Sequence, residues 1–418
     1  MSEPIRVLHF ADSHIGIESY GRTDPVTGLS SRVVDFLRRM DDIVTYARDH
    51  DVDLIIFAGD AFKTRTPSPT FQREFAHRIR DLSALAPIVM LIGNHDVPPT
   101  ALKASSIEIY DTLAVPNVLV ASEYTHYVVE TKRGKVAVGT APYPLRARIL
   151  ETVQTTGLTI AQTDGLLQEK LVEILDDLAE EVDAITPEIP RLLVGHFTVS
   201  GAVVGSERGI MLGRDVSIPK SSLADPRWDY VALGHIHKHQ NLTHGRDDAP
   251  PVVYSGSIER IDFGEEGDPK GFCWVELGRN ATTWEFIHLD ARPFVTLKAD
   301  LRQDTNPTQT AVNLIERHNL KNAVVRVLLQ LTPESESRLN ENALRDALRR
   351  SGAFFVAAIR KDVEQAARAR LGASPEGLTN SELLERFLIS QQTPPERRDE
   401  LLETAEDIFN EALGGKFE

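Results

Sequence analysis

Five short segments of this chain end in side chains that bind cations: Asp12-Ser-His14, Gly59-Asp60, Gly93-Asn94-His95-Asp96, Gly195-His196 and Gly234-His235-Ile-His237. Asp12, His14, Asp60, Asn94, His196, His235 and His237 together offer two carboxylates, one amide oxygen and four imidazoles. Seven donors exceed what one ion takes and suit two. Oxygen and nitrogen donors without thiolate fit Mn²⁺, Mg²⁺, Fe or Zn²⁺, and the mixed set points first to Mn²⁺. The chain has 1 cysteine, Cys273, which excludes an internal disulfide and a thiolate zinc site. Two divalent ions outweigh the charges of Asp12 and Asp60, so the site can hold a phosphate. With Asp60 shared between ions about 3.5–4 Å apart, a bridging water of lowered pKa could attack phosphorus in line. His95 is the expected general acid for the leaving oxygen, with Asp96 orienting its ring.

These segments need elements that bring them to one place. Strand-like runs at 5–11, 54–58, 88–92, 191–194 and 230–233 each lead directly into one of them. Ligand sites of layered α/β folds lie at the carboxyl ends of strands. Val33, Phe36, Leu37, Met40, Ile43, Val44 and Ala47 form the stripe of one helix, and Phe71, Phe75, Ile79 and Leu82 that of the next. A hairpin is predicted around Arg133-Gly134 and a long helix over about 159–182. The glycines before the ligands are expected to let the backbone turn as it leaves each strand. Later strands at 252–255, 272–277 and 283–289 do not alternate with helices, which predicts a second, more antiparallel sheet facing the first. His9, inside a strand, and Cys273, in Phe-Cys-Trp-Val, read as core residues.

A boundary is predicted near Ala291-Arg-Pro293, followed by a smaller α+β unit and a turn-rich linker at 373–377. Two helices with capping boxes follow, Thr379-Asn-Ser-Glu382 and Thr393-Pro-Pro-Glu396. The second carries Leu401, Leu402, Ala405, Ile408, Phe409, Ala412 and Leu413 along one side, and such a short pair needs a further surface to cover its apolar faces. With 46 Lys+Arg against 62 Asp+Glu, the formal net charge is −16. That excludes a protein that coats nucleic acid by bulk charge. No apolar run approaches the roughly 18 residues of a membrane span, and the chain is expected in the cytoplasm without membrane contact.

In the order Asp-x-His, Gly-Asp, Gly-Asn-His-Asp, Gly-His, Gly-His-x-His, the chain resembles the calcineurin-like metallophosphoesterase superfamily. Gly59-Asp-Ala-Phe62 with Pro67-Ser-Pro69, and the run from Tyr254 to Phe263-Gly-Glu265, are similar to those of SbcD-type DNA double-strand-break repair nucleases. The resemblance implies a four-layer αββα sandwich at 1–290, a smaller α+β capping, DNA-binding domain at 291–372, and a helix-loop-helix tail at 373–418. It implies one Mn²⁺ among Asp12, His14, Asp60 and His237, a second among Asp60, Asn94, His196 and His235, and His95 assisting the leaving group. The implied activity is a 3′–5′ DNA exonuclease and single-strand endonuclease of repair, recombination and replication, associated with the nucleoid. The implied partner is an SMC-like coiled-coil ATPase, SbcC, bound through residues 379–413. The assembly would be a homodimer, and with the ATPase a heterotetramer. Phe71, Phe75, Ile79, Leu102, Ile109 and Leu113 are the candidates for the dimer contact. Several relatives carry histidine where this chain has Lys63, which suits a phosphate contact rather than proton relay. A calcineurin-like phosphatase or small phosphodiesterase is the competing reading, and the extra domain and paired helices argue against it. A non-catalytic scaffold is disfavoured by the intact ligand set.

Overall fold

Ile5–Phe10 (β1), Leu54–Phe57 (β2) and Ile88–Leu91 (β3) are almost wholly buried, as parallel strands covered on both faces require. A computed structural model of the chain describes residues 3–98, 103–151, 155, 157–185, 187–205, 215–364, 379–391 and 393–414. Leu102, the 373–377 turn and the side chains at 406–413 lie outside the described residues. The chain divides into two compact units, Met1–Leu297 with Ile315–Val327 and Arg345–Ala358, and Lys298–Leu314 with Leu328–Leu344 and Ile359–Glu418.

In the first unit, β1, β2, β3 and Val118–Ala121 (β4) are parallel neighbours. Helices Ser31–Asp49 (α1) and Pro69–Ser83 (α2) cover their outer face. The Ser30 hydroxyl accepts from the Arg32 amide at the start of α1, and every residue of the predicted stripe is buried. Ser68 caps α2, whose first residue is proline. Phe75 and Ile79 belong to this core and are closed to a dimer partner, while Ile109 and Leu113 are exposed.

A second sheet runs Gln240–Asn241 (β5), Val252–Tyr254 (β6), Tyr230–Gly234 (β7), Arg191–His196 (β8), Gly134–Ala141 (β9), Thr125–Thr131 (β10). Its four inner strands are parallel, so it is less antiparallel than the sequence pattern predicts. Only the edges β5 and β10 run antiparallel to their neighbours. Gly271–Leu277 (β11) and Thr283–His288 (β12) return to the first sheet, where β11 lies antiparallel to β1 with Val7 opposite Val275. This arrangement covers what would otherwise be an exposed apolar edge at β1.

Val7, Ile56, Val89, Val138, Val194, Ala232 and Val275 fill the layer between the sheets. The helix Ile160–Asp183 packs on the outer face of the second sheet. The result is the expected αββα order. His9 and Cys273 are fully buried between the sheets.

Phe294–Asp300, Val324–Leu331 and Phe355–Val363 form a separate three-stranded sheet. In the second unit, helices Asn380–Ser390 and Pro395–Gly414 lie against each other. Thr379 and Glu382 form the predicted capping box, and Phe387 and Ile389 stay half exposed. Among the described residues, no helix is long and apolar enough to cross a membrane.

Candidate metal centre

The first sheet delivers Asp12, Asp60 and Asn94 just beyond the ends of β1, β2 and β3. The second delivers His196 as the last residue of β8, and His235 and His237 just beyond β7. Two sheets packed face to face thus bring all five motifs to one rim. The backbone turns there at the ligands themselves: φ is +52° at Asp12, +39° at His14, +62° at Asp60 and +91° at His235. Such left-handed conformations cost free energy in non-glycine residues and gather at functional sites.

The glycines play a different part from the one expected. Of those preceding ligands only Gly59 has positive φ. They matter for space: a Cβ on Gly93 would lie 2.2 Å from Asp60 Oδ1, and one on Gly234 2.2 Å from the Ala58 carbonyl. Close approach of neighbouring strand ends at Gly93, and of the two sheets at Gly234, excludes any side chain there.

The donors converge. Donor atoms of Asp12, His14 and His237 all lie within 4.8 Å of one another, as do those of Asp12, Asp60 and His196, and those of His14, Asp60 and His95. His14 Nε2 faces His237 Nε2 at 3.0 Å. Asn94 Oδ1 lies 2.9 Å from both His196 Nε2 and His235 Nδ1, and Asp60 Oδ2 lies 3.4 Å from His196 Nε2 and 3.7 Å from His14 Nε2. Two imidazole nitrogens aimed at each other repel unless a proton or cation stands between them, so the set fits metal ions. The opposite nitrogens of three rings meet oxygens: His196 Nδ1 the Ala58 carbonyl at 2.6 Å, His237 Nδ1 Glu265 Oε1 at 2.9 Å, and His235 Nε2 Asp215 Oδ2 at 2.5 Å. Each of these oxygens accepts a ring proton and turns the other nitrogen's lone pair inward, as metal-binding histidines require.

Charge inside the site is uneven. Burial pushes His14 well below the usual imidazole range and Asp12 above the carboxylate range. Burial would raise Asp60 too, but His196, His95 and His14 outweigh it and hold that carboxyl well below its ordinary value. His196 is pulled down by burial and more strongly up by Asp60, to about 9. A proton and a cation compete for the same inward-facing nitrogen.

His95 stands beside the donors rather than apart from them. Its amide donates to Asp60 Oδ1 at 2.8 Å, and its ring packs edge-on against His14. Asp96, expected to orient that ring, instead accepts the amides of Asp60, Ala61 and Gly93 at 2.8, 3.0 and 3.1 Å. Consecutive side chains leaving a strand diverge, so adjacency in sequence does not bring Asp96 to the imidazole. The ring's Nδ1 lies 2.7 Å from the Lys63 carbonyl. Lys63 itself is exposed at this edge.

Sequence reasoning gives no role to Glu265, Lys270, Asp215 or Tyr143. Asp215 accepts from Tyr143 Oη at 2.8 Å and Thr198 Oγ1 at 3.0 Å as well as from His235. Glu265 closes the run that starts at Tyr254, and its place there is the one signal that could have found it. Asp215 follows no recognisable spacing.

A calcineurin-like phosphoesterase model matches residues 5–239. The chain is 30% identical over 302 residues to the SbcD component of the SbcCD nuclease of Bacillus subtilis, covering 71% of this chain and 72% of that protein. The corresponding component from Rhodobacter capsulatus is 25% identical over 372 residues, 86% of this chain and 81% of the relative. That of Escherichia coli K12 is 28% identical over 316 residues, 72% of each.

Proposed function

The chain belongs to the calcineurin-like phosphoesterase family and is a metal-dependent nuclease of SbcD type, and from that premise we propose that it processes DNA ends with two divalent ions, Mn²⁺ foremost. Asp12, His14, Asp60 and His237 would hold one ion and Asp60, Asn94, His196 and His235 the other. Bound there, the pair would supply Lewis-acid charge for the phosphate and for a water nucleophile. The chain's own residues do the rest. Asp60 presents one oxygen to two histidines while its second is fixed by the His95 amide. With Nδ1 engaged by the Lys63 carbonyl, His95 keeps Nε2 to hand a proton to the departing oxygen. Lys63 would meet a phosphate of the bound strand.

The reading extends to the rest of the chain. Residues 291–372 would cap the substrate, and the tail at 379–413 would dock its apolar faces on an SMC-like coiled-coil ATPase, the SbcC partner in the names of the relatives. The exposed Phe387 and Ile389 support a docking role. Two copies of the chain and two of the ATPase would form a nucleoid-associated heterotetramer.

The observation that carries the reading is the convergence of donors from both sheets with their outward nitrogens already engaged. Its test is cleavage of linear DNA with and without Mn²⁺, beside p-nitrophenyl phosphate and the Asp60→Asn variant. Metal-dependent DNA cleavage that Asp60→Asn abolishes, with the fold intact by circular dichroism, is the expected result. Hydrolysis of phosphomonoesters alone would overturn it. Removing residues 373–418 should abolish co-purification with the ATPase while basal cleavage persists.

A further inference from the structure

Behind His237, on the side away from the converging donors, lies a buried ion pair. Glu265 is fully buried, and Lys270 is 1% exposed. Glu265 Oε1 accepts from His237 Nδ1 at 2.9 Å, while Oε2 meets Lys270 Nζ at 2.7 Å and the Ile261 amide at 3.0 Å. Lys270 Nζ also donates to the His237 carbonyl at 3.1 Å and to Ser257 Oγ at 2.8 Å. Lysine and glutamate thus grip one residue at both ends, main chain and ring. Stability alone does not call for such a pair, since apolar residues of similar volume serve a core as well or better. Asp215 behind His235 differs, since its other hydrogen bonds come from the neutral hydroxyls of Tyr143 and Thr198.

We infer that Glu265 and Lys270 are a positioning pair that fixes His237 in its Nδ1–H tautomer and holds Nε2 toward the metal centre. The inference rests on His237 being a ligand. A carboxylate accepting the outer ring proton raises the basicity of the inner nitrogen and fixes the ring plane. Lys270 Nζ and the Ile261 amide hold Oε2 of that carboxylate, which leaves Oε1 turned to the ring.

The test uses the full chain. Glu265→Leu combined with Lys270→Met removes both charges together and leaves neither partner stranded in the core. Mn²⁺ titration calorimetry on wild type, His237→Ala and the double variant should show one of two ions bound about 10–100-fold more weakly in both variants, with the other ion unaffected and the double variant folded by circular dichroism. Unchanged affinity in the double variant, with loss in His237→Ala, would overturn the positioning role and leave the ligand assignment standing. Unchanged affinity in His237→Ala would overturn both. The metal-free wild type gives a reading independent of how the double variant folds. The imidazole ¹⁵N resonances that His237→Ala removes should report Nδ1 protonated, and an Nδ1 that carries no proton would refute the inference.

Discussion

The ring of His95 is tied to Lys63 through main chain, with Nδ1 2.7 Å from the Lys63 carbonyl. The contact survives any substitution of the lysine side chain. It leaves Nε2 as the other nitrogen of a ring that lies beside His14 and Asp60.

His95→Ala should therefore keep both metal ions while slowing bond cleavage by about 10²–10⁴, the usual contribution of a positioned acid. Calorimetric stoichiometry and single-turnover rates measured together check this. A fall in stoichiometry would make His95 a ligand, which its distance from Asp60 and His14 also permits.

Lys63→Ala should leave the single-turnover rate nearly unchanged, because the carbonyl that holds His95 remains. Its effect belongs in binding: a raised dissociation constant for DNA and a salt slope reduced by about 1. Fluorescence anisotropy at several salt concentrations measures both, and an unaltered slope would place the lysine in solvent.

Asp35 on α1 joins two arginines. It accepts from Arg32 Nη1 at 2.8 Å and from Arg292 Nε and Nη2 at 2.6 Å each. Arg32 is fully buried, its Nε already lacks an acceptor, and its next carboxylate, Glu259, lies at 3.9 Å. Asp35→Ala strands that charge, and urea denaturation should show a loss of about 3–5 kcal/mol. A loss below about 1 kcal/mol would mean that Glu259 alone compensates Arg32.

His9 gives a pH dependence. Burial lowers its pKa to about 3, against about 6.5 in an unfolded chain. Above about 6.5 the ring is neutral in both states and its contribution is fully present. As pH falls toward 3 the unfolded chain gains a proton that the folded one refuses, and stability declines by about 1.4 kcal/mol per unit. His9→Leu should thus flatten the fall in stability between pH 6.5 and 4.5 by about 2–3 kcal/mol, read as denaturation midpoints. Parallel curves for the two proteins would show that the ring accepts its proton without unfolding.

The seven donors were legible in the sequence because each motif is short and follows a β-branched apolar run that reads as a strand. The helix stripes on α1 and α2 were legible for the same reason, since their apolar period is local. What spacing does not carry is the partner of a ligand's far side. Glu265 reaches His237 across 28 positions and Asp215 reaches His235 across 20, distances set by tertiary packing. The return of β11 to the first sheet was hidden likewise, because an apolar strand reads alike in either sheet and either direction. Asp96 misled through adjacency: its carboxylate answers three buried amides, a demand that appears only once β2 and β3 lie side by side.

The carboxylate of Asp12 accepts the amide of His235 across 223 positions at 3.1 Å, and β11, the neighbour of β1, follows every donor in the chain. A ribosome has therefore delivered all seven donors before it has delivered β11 and β12, the two strands that complete the first sheet. Contacts of such high order form late, after long loops have closed. Assembly of the centre thus requires the two sheets to dock, a long-range closure that no helix of the chain can complete locally.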